Sequence, residues 1–180
     1  VHGMTVADIN GDGNEEIYLS ATDDLRVASM ILGWSGKGRF QTLARNIRWY
    51  LRPVANTRGE WRLAGQKRGR DKTDFLARGL YWLSVDNNFK IVEEKQIPIP
   101  GNINLFDFAF AELDGEKGDE LVVLDSNEKL QVINSENELV WVSSNSYGGS
   151  KIYIGPSQGS AVDEQTRTGL SVDEDAEREL

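Results

Sequence analysis

The chain is 180 residues long, enough for one domain with a buried core and no need of covalent staples. It has no Cys and a single His, which excludes disulfides, thiolate metal sites, Cys nucleophiles and any mechanism needing two imidazoles. The net charge of −9 argues against a nucleic-acid partner, and no apolar run reaches the roughly 18 residues of a membrane-spanning helix.

In chain order, short apolar runs alternate with turns rich in Gly, Asn and Asp. No 3.6-residue period is sustained, so the predicted elements are strands. A first group is expected at about 3–8, 15–22, 26–34 and 39–48, and a second at about 48–55, 60–66, 79–85 and 89–99. A third follows at about 104–112, 119–125, 129–134 and 138–144. Runs such as Leu121-Val122-Val123-Leu124 are apolar on both parities, which suits strands covered on both faces. The texts Met4–Asp8, Leu51–Asn56 and Phe108–Glu112 recur at intervals of 48 and 56 residues, counted between Ala7, Ala55 and Ala111.

Four antiparallel strands in about 50 residues describe one blade of a β-propeller. The expected fold is therefore all-β, a β-propeller fragment of about three four-stranded antiparallel blades. The expected divisions are 1–48, 49–102 and 103–154, followed by an acidic flexible insertion or linker at 155–180. Closure takes about four to eight blades. With a start at Val1, the chain reads as a piece of a longer protein whose remaining blades are its first partners.

The most informative stretch is Asp8-Ile-Asn10-Gly-Asp12-Gly-Asn14-Glu-Glu16-Ile17. Asp8, Asn10, Asp12 and Glu16 offer side-chain oxygens at alternate positions, and Asn14 offers its carbonyl between them. A hard cation such as Ca²⁺ takes six to eight oxygens at about 2.3–2.6 Å from a loop able to curl around it. The first half matches an EF-hand, but loop position twelve is Leu19 instead of Glu, and Ile17 opens a strand instead of a helix. The expectation is a strand–loop–strand Ca²⁺ site.

These residues, with the flanking Val6 and Ala7, resemble the FG-GAP/VCBS repeat of calcium-binding propeller blades, and the wording is closest to bacterial tandem-blade proteins. Phe110-Ala-Glu112-Leu-Asp114-Gly-Glu116-Lys-Gly118-Asp-Glu120-Leu121 is similar in the same frame. The resemblance implies a second, weaker site at Glu112, Asp114, Glu116, Gly118 and Glu120. Glu112 and Glu116 stand where the family has Asp, Glu16 is one methylene longer than the usual Asp, and Lys117 adds a repelling charge. The second unit offers only Asn56-Thr-Arg58-Gly-Glu60, an ordinary hairpin without metal.

Residues 1–25 hold six acids and no Lys or Arg, whereas residues 26–78 hold thirteen basic against three acidic residues. The basic block culminates in a loop with Lys67, Arg68, Arg70, Lys72 and Arg78, preceded by Arg45, Arg48, Arg52, Arg58 and Arg62. Two readings stand: solvated charge that discourages edge pairing, or an anion-binding rim for a carboxylated or phosphorylated polymer. No catalytic signature accompanies them. Gly33-Trp-Ser35-Gly36 is not a nucleophile elbow, and Gly33–Gly38 lacks the Gly-Lys-Ser/Thr ending of a phosphate loop.

The expected function is a non-catalytic binding, adhesion or scaffold module of a larger secreted or cell-envelope protein, extracellular or periplasmic. Its ligand would be a protein or an anionic polysaccharide. The alternative is the propeller part of a secreted polysaccharide-degrading enzyme whose catalytic residues lie largely elsewhere.

Overall fold

In a computed structural model, residues 1–24, 26–36, 38–69, 76–99, 103–115 and 118–147 are described. Among them no residue is helical, and β-branched and aromatic runs between Asx- and Gly-rich turns build every element. The first sheet contains β1 (Gly3–Ala7) and β2 (Glu16–Ser20). A short ribbon of β3 (Thr22–Asp23) and β4 (Arg26–Val27) follows, and then β5 (Ser29–Trp34) and β6 (Phe40–Ile47) complete the sheet. The second sheet is β7 (Tyr50–Ala55), β8 (Trp61–Gln66), β9 (Tyr81–Val85) and β10 (Ile91–Gln96). The third is β11 (Phe108–Ala111), β12 (Glu120–Leu124), β13 (Leu130–Ile133) and β14 (Leu139–Val142). Each four-stranded sheet is an antiparallel meander.

The structure departs from the sequence reading at three strand ends. The expected strand at 26–34 is broken, because Asp24 at φ 52° turns the chain and Arg26–Val27 pairs back onto Thr22–Asp23. The strand expected from 104 begins at Phe108, because Asn104 and Asp107 close a turn through an Asp107 N–H to Asn104 O bond of 3.0 Å. The last strand of the second sheet ends at Gln96, short of 99. The segment 155–180, expected as a linker, lies outside the described residues.

Four hairpins share one wiring. At Asn56, Asp86, Asp125 and Asn134 the side-chain Oδ1 accepts the N–H groups two and four residues on, at 2.8–3.1 Å. The fourth residue of each loop (Gly59, Phe89, Glu128 or Asn137) sits at positive φ and donates its N–H back to the Asx carbonyl. Such an Asx turn fixes loop length, and loop length fixes register. In the third-to-fourth strand pair of all three sheets a bulge shifts the register, which blunts the outer edges.

The second sheet is covered on both faces. Leu51, Leu63 and Leu83 pack on Tyr18 and Ile31 of the first sheet. Tyr50, Val54, Ala64 and Trp82, on the alternate parity, pack on Phe108, Leu121, Val123 and Ile133 of the third. Buried Ser20 and Gln66 and the half-buried Arg52 tie the layers. Ser20 Oγ donates to Leu51 O at 2.7 Å and accepts the Leu51 N–H at 2.6 Å. Arg52 Nη1 donates to the carbonyls of Leu105 and Phe108 at 2.8 and 2.7 Å, and Gln66 Oε1 accepts the Leu105 N–H at 2.8 Å. These bonds and the His2–Tyr50 ring contact at 5.5 Å gather the starts of β1, β7 and β11 at one end.

Asp125 also accepts Gln131 Nε2 at 2.7 Å. Burial pushes its carboxyl up, but the bonds from Lys129, Asn127 and Gln131 outweigh this and hold it below the usual carboxylate range. A depressed carboxyl contributes stability that is present above its unfolded pKa of about 3.9 and lost as pH falls through the folded value. Asp125→Ala should cost about 1–2 kcal/mol at neutral pH and flatten that acid-side loss. Urea unfolding across pH 2–7 checks both, and an unchanged midpoint would contradict the assigned role.

Candidate metal centre

Both acidic loops connect the first and second strands of their sheets: residues 8–15 between β1 and β2, and residues 112–119 between β11 and β12. Thr57, in the hairpin between β7 and β8, donates its hydroxyl to Asp119 Oδ1 and its N–H to Asp119 Oδ2 at 3.3 Å. The first-to-second-strand connections of the second and third sheets therefore stand on one rim. Since the starts of β1, β7 and β11 meet at the opposite end, the 8–15 loop shares it.

The two loops are built alike. Gly11 N–H donates to Asp8 Oδ1 at 2.8 Å, and Gly115 N–H donates to Glu112 Oε1 at 2.7 Å. Gly11 and Gly115 have φ of 72° and 80°, left-handed conformations that a side chain disfavours. Gly118 is needed twice over: its φ is 125°, and a Cβ there would come within 2.7 Å of Ser135. Each loop ends on a Glu whose side chain is turned inward, Glu16 at 2% and Glu120 at 4% exposure.

In the first loop the oxygens serve the loop itself. Asp8 Oδ2 accepts Gly13 N–H at 2.9 Å, and Asp12 Oδ1 accepts Asn14 N–H at 2.8 Å and Asn14 Nδ2 at 3.0 Å. Asn10 Nδ2 donates to Asp12 Oδ2 at 3.1 Å. The bonds from Asn14 and Asn10 lower the Asp12 carboxyl. Glu16 is raised, first by burial and then by the charges of Asp12 and Asp8, while Tyr18 OH donates to it at 3.4 Å. A buried carboxylate beside two others is the arrangement that a cation relieves.

In the second loop three carboxylates converge. Among the described residues, Glu112, Asp114 and Glu120 form a group whose oxygens all lie within 4.8 Å of one another. Glu120 Oε2 also accepts the Leu113 N–H at 2.7 Å. Both loops spend carboxylate oxygens on their own backbone, Asp8 and Asp12 in the first and Glu112 and Glu120 in the second, and the second also brings its carboxylates together. Glu116 lies outside the described residues.

The basic residues take a different course. Lys67 Nζ is bound to Glu93 Oε2 at 2.8 Å and lies 4.5 Å from the centre of the Trp49 ring. Arg68 bridges to Leu76 through its backbone, and Arg78 is exposed. Arg70 and Lys72 lie outside the described residues. Of the preceding arginines, Arg52 is half-buried between sheets, Arg62 lies 3.8 Å over the Trp82 ring, Arg48 donates to Val27 O at 3.2 Å and Arg58 faces Glu60 at 3.8 Å. Much of the positive block thus binds the protein to itself, and Lys67 and Arg68 follow β8 on the rim opposite the acidic loops.

Sequence reasoning missed two of these contacts. The Thr57–Asp119 hook has no local signal, since 62 residues separate the partners. Arg52 did have one: it shares strand parity with Tyr50 and Val54, both of which face the core.

No protein-family model, no curated protein and no solved structure matches this chain. Among the described residues no helix is long and apolar enough to cross a membrane.

Replacing Glu16 with Gln should raise the melting temperature of the metal-free protein, because it removes a charge buried beside Asp8 and Asp12. The same change should weaken any gain from added Ca²⁺. Differential scanning calorimetry in EGTA and in Ca²⁺ checks both, and a lower metal-free melting temperature would contradict the strain assigned to Glu16.

Proposed function

We propose that the chain forms three successive blades of a calcium-stabilised β-propeller of FG-GAP/VCBS type, acting as a non-catalytic binding, adhesion or scaffold module in a larger secreted or cell-envelope protein. The observation that carries the reading is the recurrence of one acidic loop at the same place in the first and third of three consecutive four-stranded meanders. The two-sided cover of the second sheet and the exposed last strands of the second and third sheets support it.

The donor set favours Ca²⁺. Carboxylates and carbonyls without His or Cys suit a hard cation of flexible coordination. Asp8, Asn10, Asp12, the Asn14 carbonyl and Glu16 would hold one ion. Glu112, Asp114 and Glu120, with Glu116 and the Gly118 carbonyl, would hold another. The ion would offset the charge of carboxylates crowded at each loop, so its role is structural. The remaining sheets of the ring would cover the two end faces. A protein or anionic polysaccharide is the ligand class, met on the rims in an extracellular or periplasmic setting.

Dissociation constants of about 10⁻⁴–10⁻³ M are expected, the range of extracellular modules. At a hundredfold excess over its dissociation constant, each ion should stabilise the fold by about 2.7 kcal/mol. Asp12→Ala and Asp114→Ala should each remove part of the Ca²⁺-dependent rise in melting temperature, and the double change all of it. A melting temperature indifferent to both Ca²⁺ and EGTA would sink the reading.

A further inference from the structure

Asn10-Gly11 is the only Asn-Gly step in the chain. The side-chain amide of an Asn is open to attack by the backbone nitrogen of the next residue. Glycine hinders that attack least, because it has no Cβ. The step lies in the first acidic loop, where Gly11 is exposed and Asn10 half-buried, so water reaches both.

The fold holds the reacting groups together. Asn10 Oδ1 accepts the Asp12 N–H at 3.2 Å. A side chain that reaches the N–H two residues on lays its amide carbon beside the nitrogen in between, here that of Gly11. The same bond polarises the amide carbonyl toward attack. Gly11 N–H donates to Asp8 Oδ1 at 2.8 Å, and a carboxylate acceptor makes the nitrogen more electron-rich. Asn10 Nδ2 donates to Asp12 Oδ2 at 3.1 Å, which fixes the orientation of the amide.

Asn56 supplies an internal contrast. Its Oδ1 accepts the Arg58 N–H at 3.0 Å, and the Thr57 N–H donates to Asp119 Oδ2 at 3.3 Å. It repeats the wiring of Asn10, but its successor is a β-branched Thr whose side chain crowds the attacking nitrogen. Asn134, with its Oδ1 on the Glu136 N–H at 3.1 Å, is followed by Ser135, which also carries a side chain.

We propose that Asn10-Gly11 is a self-modifying site, where the metal-free loop converts Asn10 to aspartate or isoaspartate and Ca²⁺ in the loop prevents it. The Gly11 nitrogen bonds to Asn10 Cγ, and the Cγ–Nδ2 bond breaks. The Gly11 proton leaves along its hydrogen bond to Asp8, water relays a proton to Nδ2, and ammonia departs. A water molecule then opens the cyclic imide. Opening at Cγ gives aspartate, and opening at the Asn10 backbone carbonyl gives isoaspartate, with the main chain rerouted through the side chain. Either product adds a negative charge beside Asp8, Asp12 and the buried Glu16. Protection rests on the calcium reading of this loop, whereas the reaction itself does not. An ion held by the Asp8 carboxylate and Asn10 Oδ1 would draw both oxygens away from the Gly11 and Asp12 N–H groups.

The test is peptide mass mapping of the whole chain aged at neutral pH in EGTA and in Ca²⁺, with melting temperatures measured beside it. In EGTA, Asn10 should be lost several-fold faster than Asn56, Asn134 or Asn145, with both aspartate and isoaspartate appearing. Ca²⁺ should slow the loss of Asn10 several-fold and leave the other three unchanged. An Asn10 that stays intact in EGTA, or is lost no faster than Asn134 and Asn145, would overturn the proposal. Loss that Ca²⁺ fails to slow, in a protein whose melting temperature Ca²⁺ raises, would overturn the protection and leave the calcium reading standing. Fast loss in EGTA with a melting temperature indifferent to Ca²⁺ would support the modification site and sink the calcium reading, so the two fail separately.

Discussion

The fold depends on the second sheet being covered on both faces. A strand buried on both sides must be apolar at both parities, and β7, β8 and β9 meet that demand with Tyr50 and Leu51, Leu63 and Ala64, Trp82 and Leu83. Truncating such a side chain costs about 2–5 kcal/mol, so the layer order is fixed by packing. The polar groups in the seams make it specific. Ser20 binds the first sheet to Leu51, and Arg52 and Gln66 bind the second to residues 105–108. Each accepts or donates to backbone that would otherwise be buried without a partner.

The hairpins keep those parities in phase. A slip of one residue would exchange Leu63 with Ala64 across the sheet and present the wrong side chain to each neighbour. The Asx turns at 56, 86, 125 and 134 prevent it, because one Oδ1 bonds two backbone N–H groups only when the loop has the right length. At each outer strand pair the register is instead broken by a bulge, and the exposed Glu93, Glu94 and Lys95 add charge to one of those edges.

Most of this was legible because strands, turns and repeats write themselves locally. Alternation and Asx spacing placed all three meanders within a few residues. What failed was non-local. The ribbon at Thr22–Asp23 and Arg26–Val27 arises from a left-handed Asp24 that favours no single reading in sequence. The arginines of the basic block looked like a surface potential, yet Arg52 reaches between sheets and the exposed Arg62 lies over the Trp82 ring, since the face of a strand is settled by what packs on it. The acidic loops were readable as a pair. The convergence of Glu112, Asp114 and Glu120 was not, because spacing along the chain does not show which carboxylates come together in space.

Charge strain and repetition meet at one rim, where each acidic loop ends on an inward Glu that opens the second strand. The most direct measurement of this account is anomalous diffraction from crystals of the chain grown with a lanthanide in place of Ca²⁺. The account predicts two peaks, one within the 8–16 loop and one within the 112–120 loop, on the same rim and with none at 56–60. Peaks elsewhere, or no peak at either loop in crystals that retain the three sheets, would contradict it.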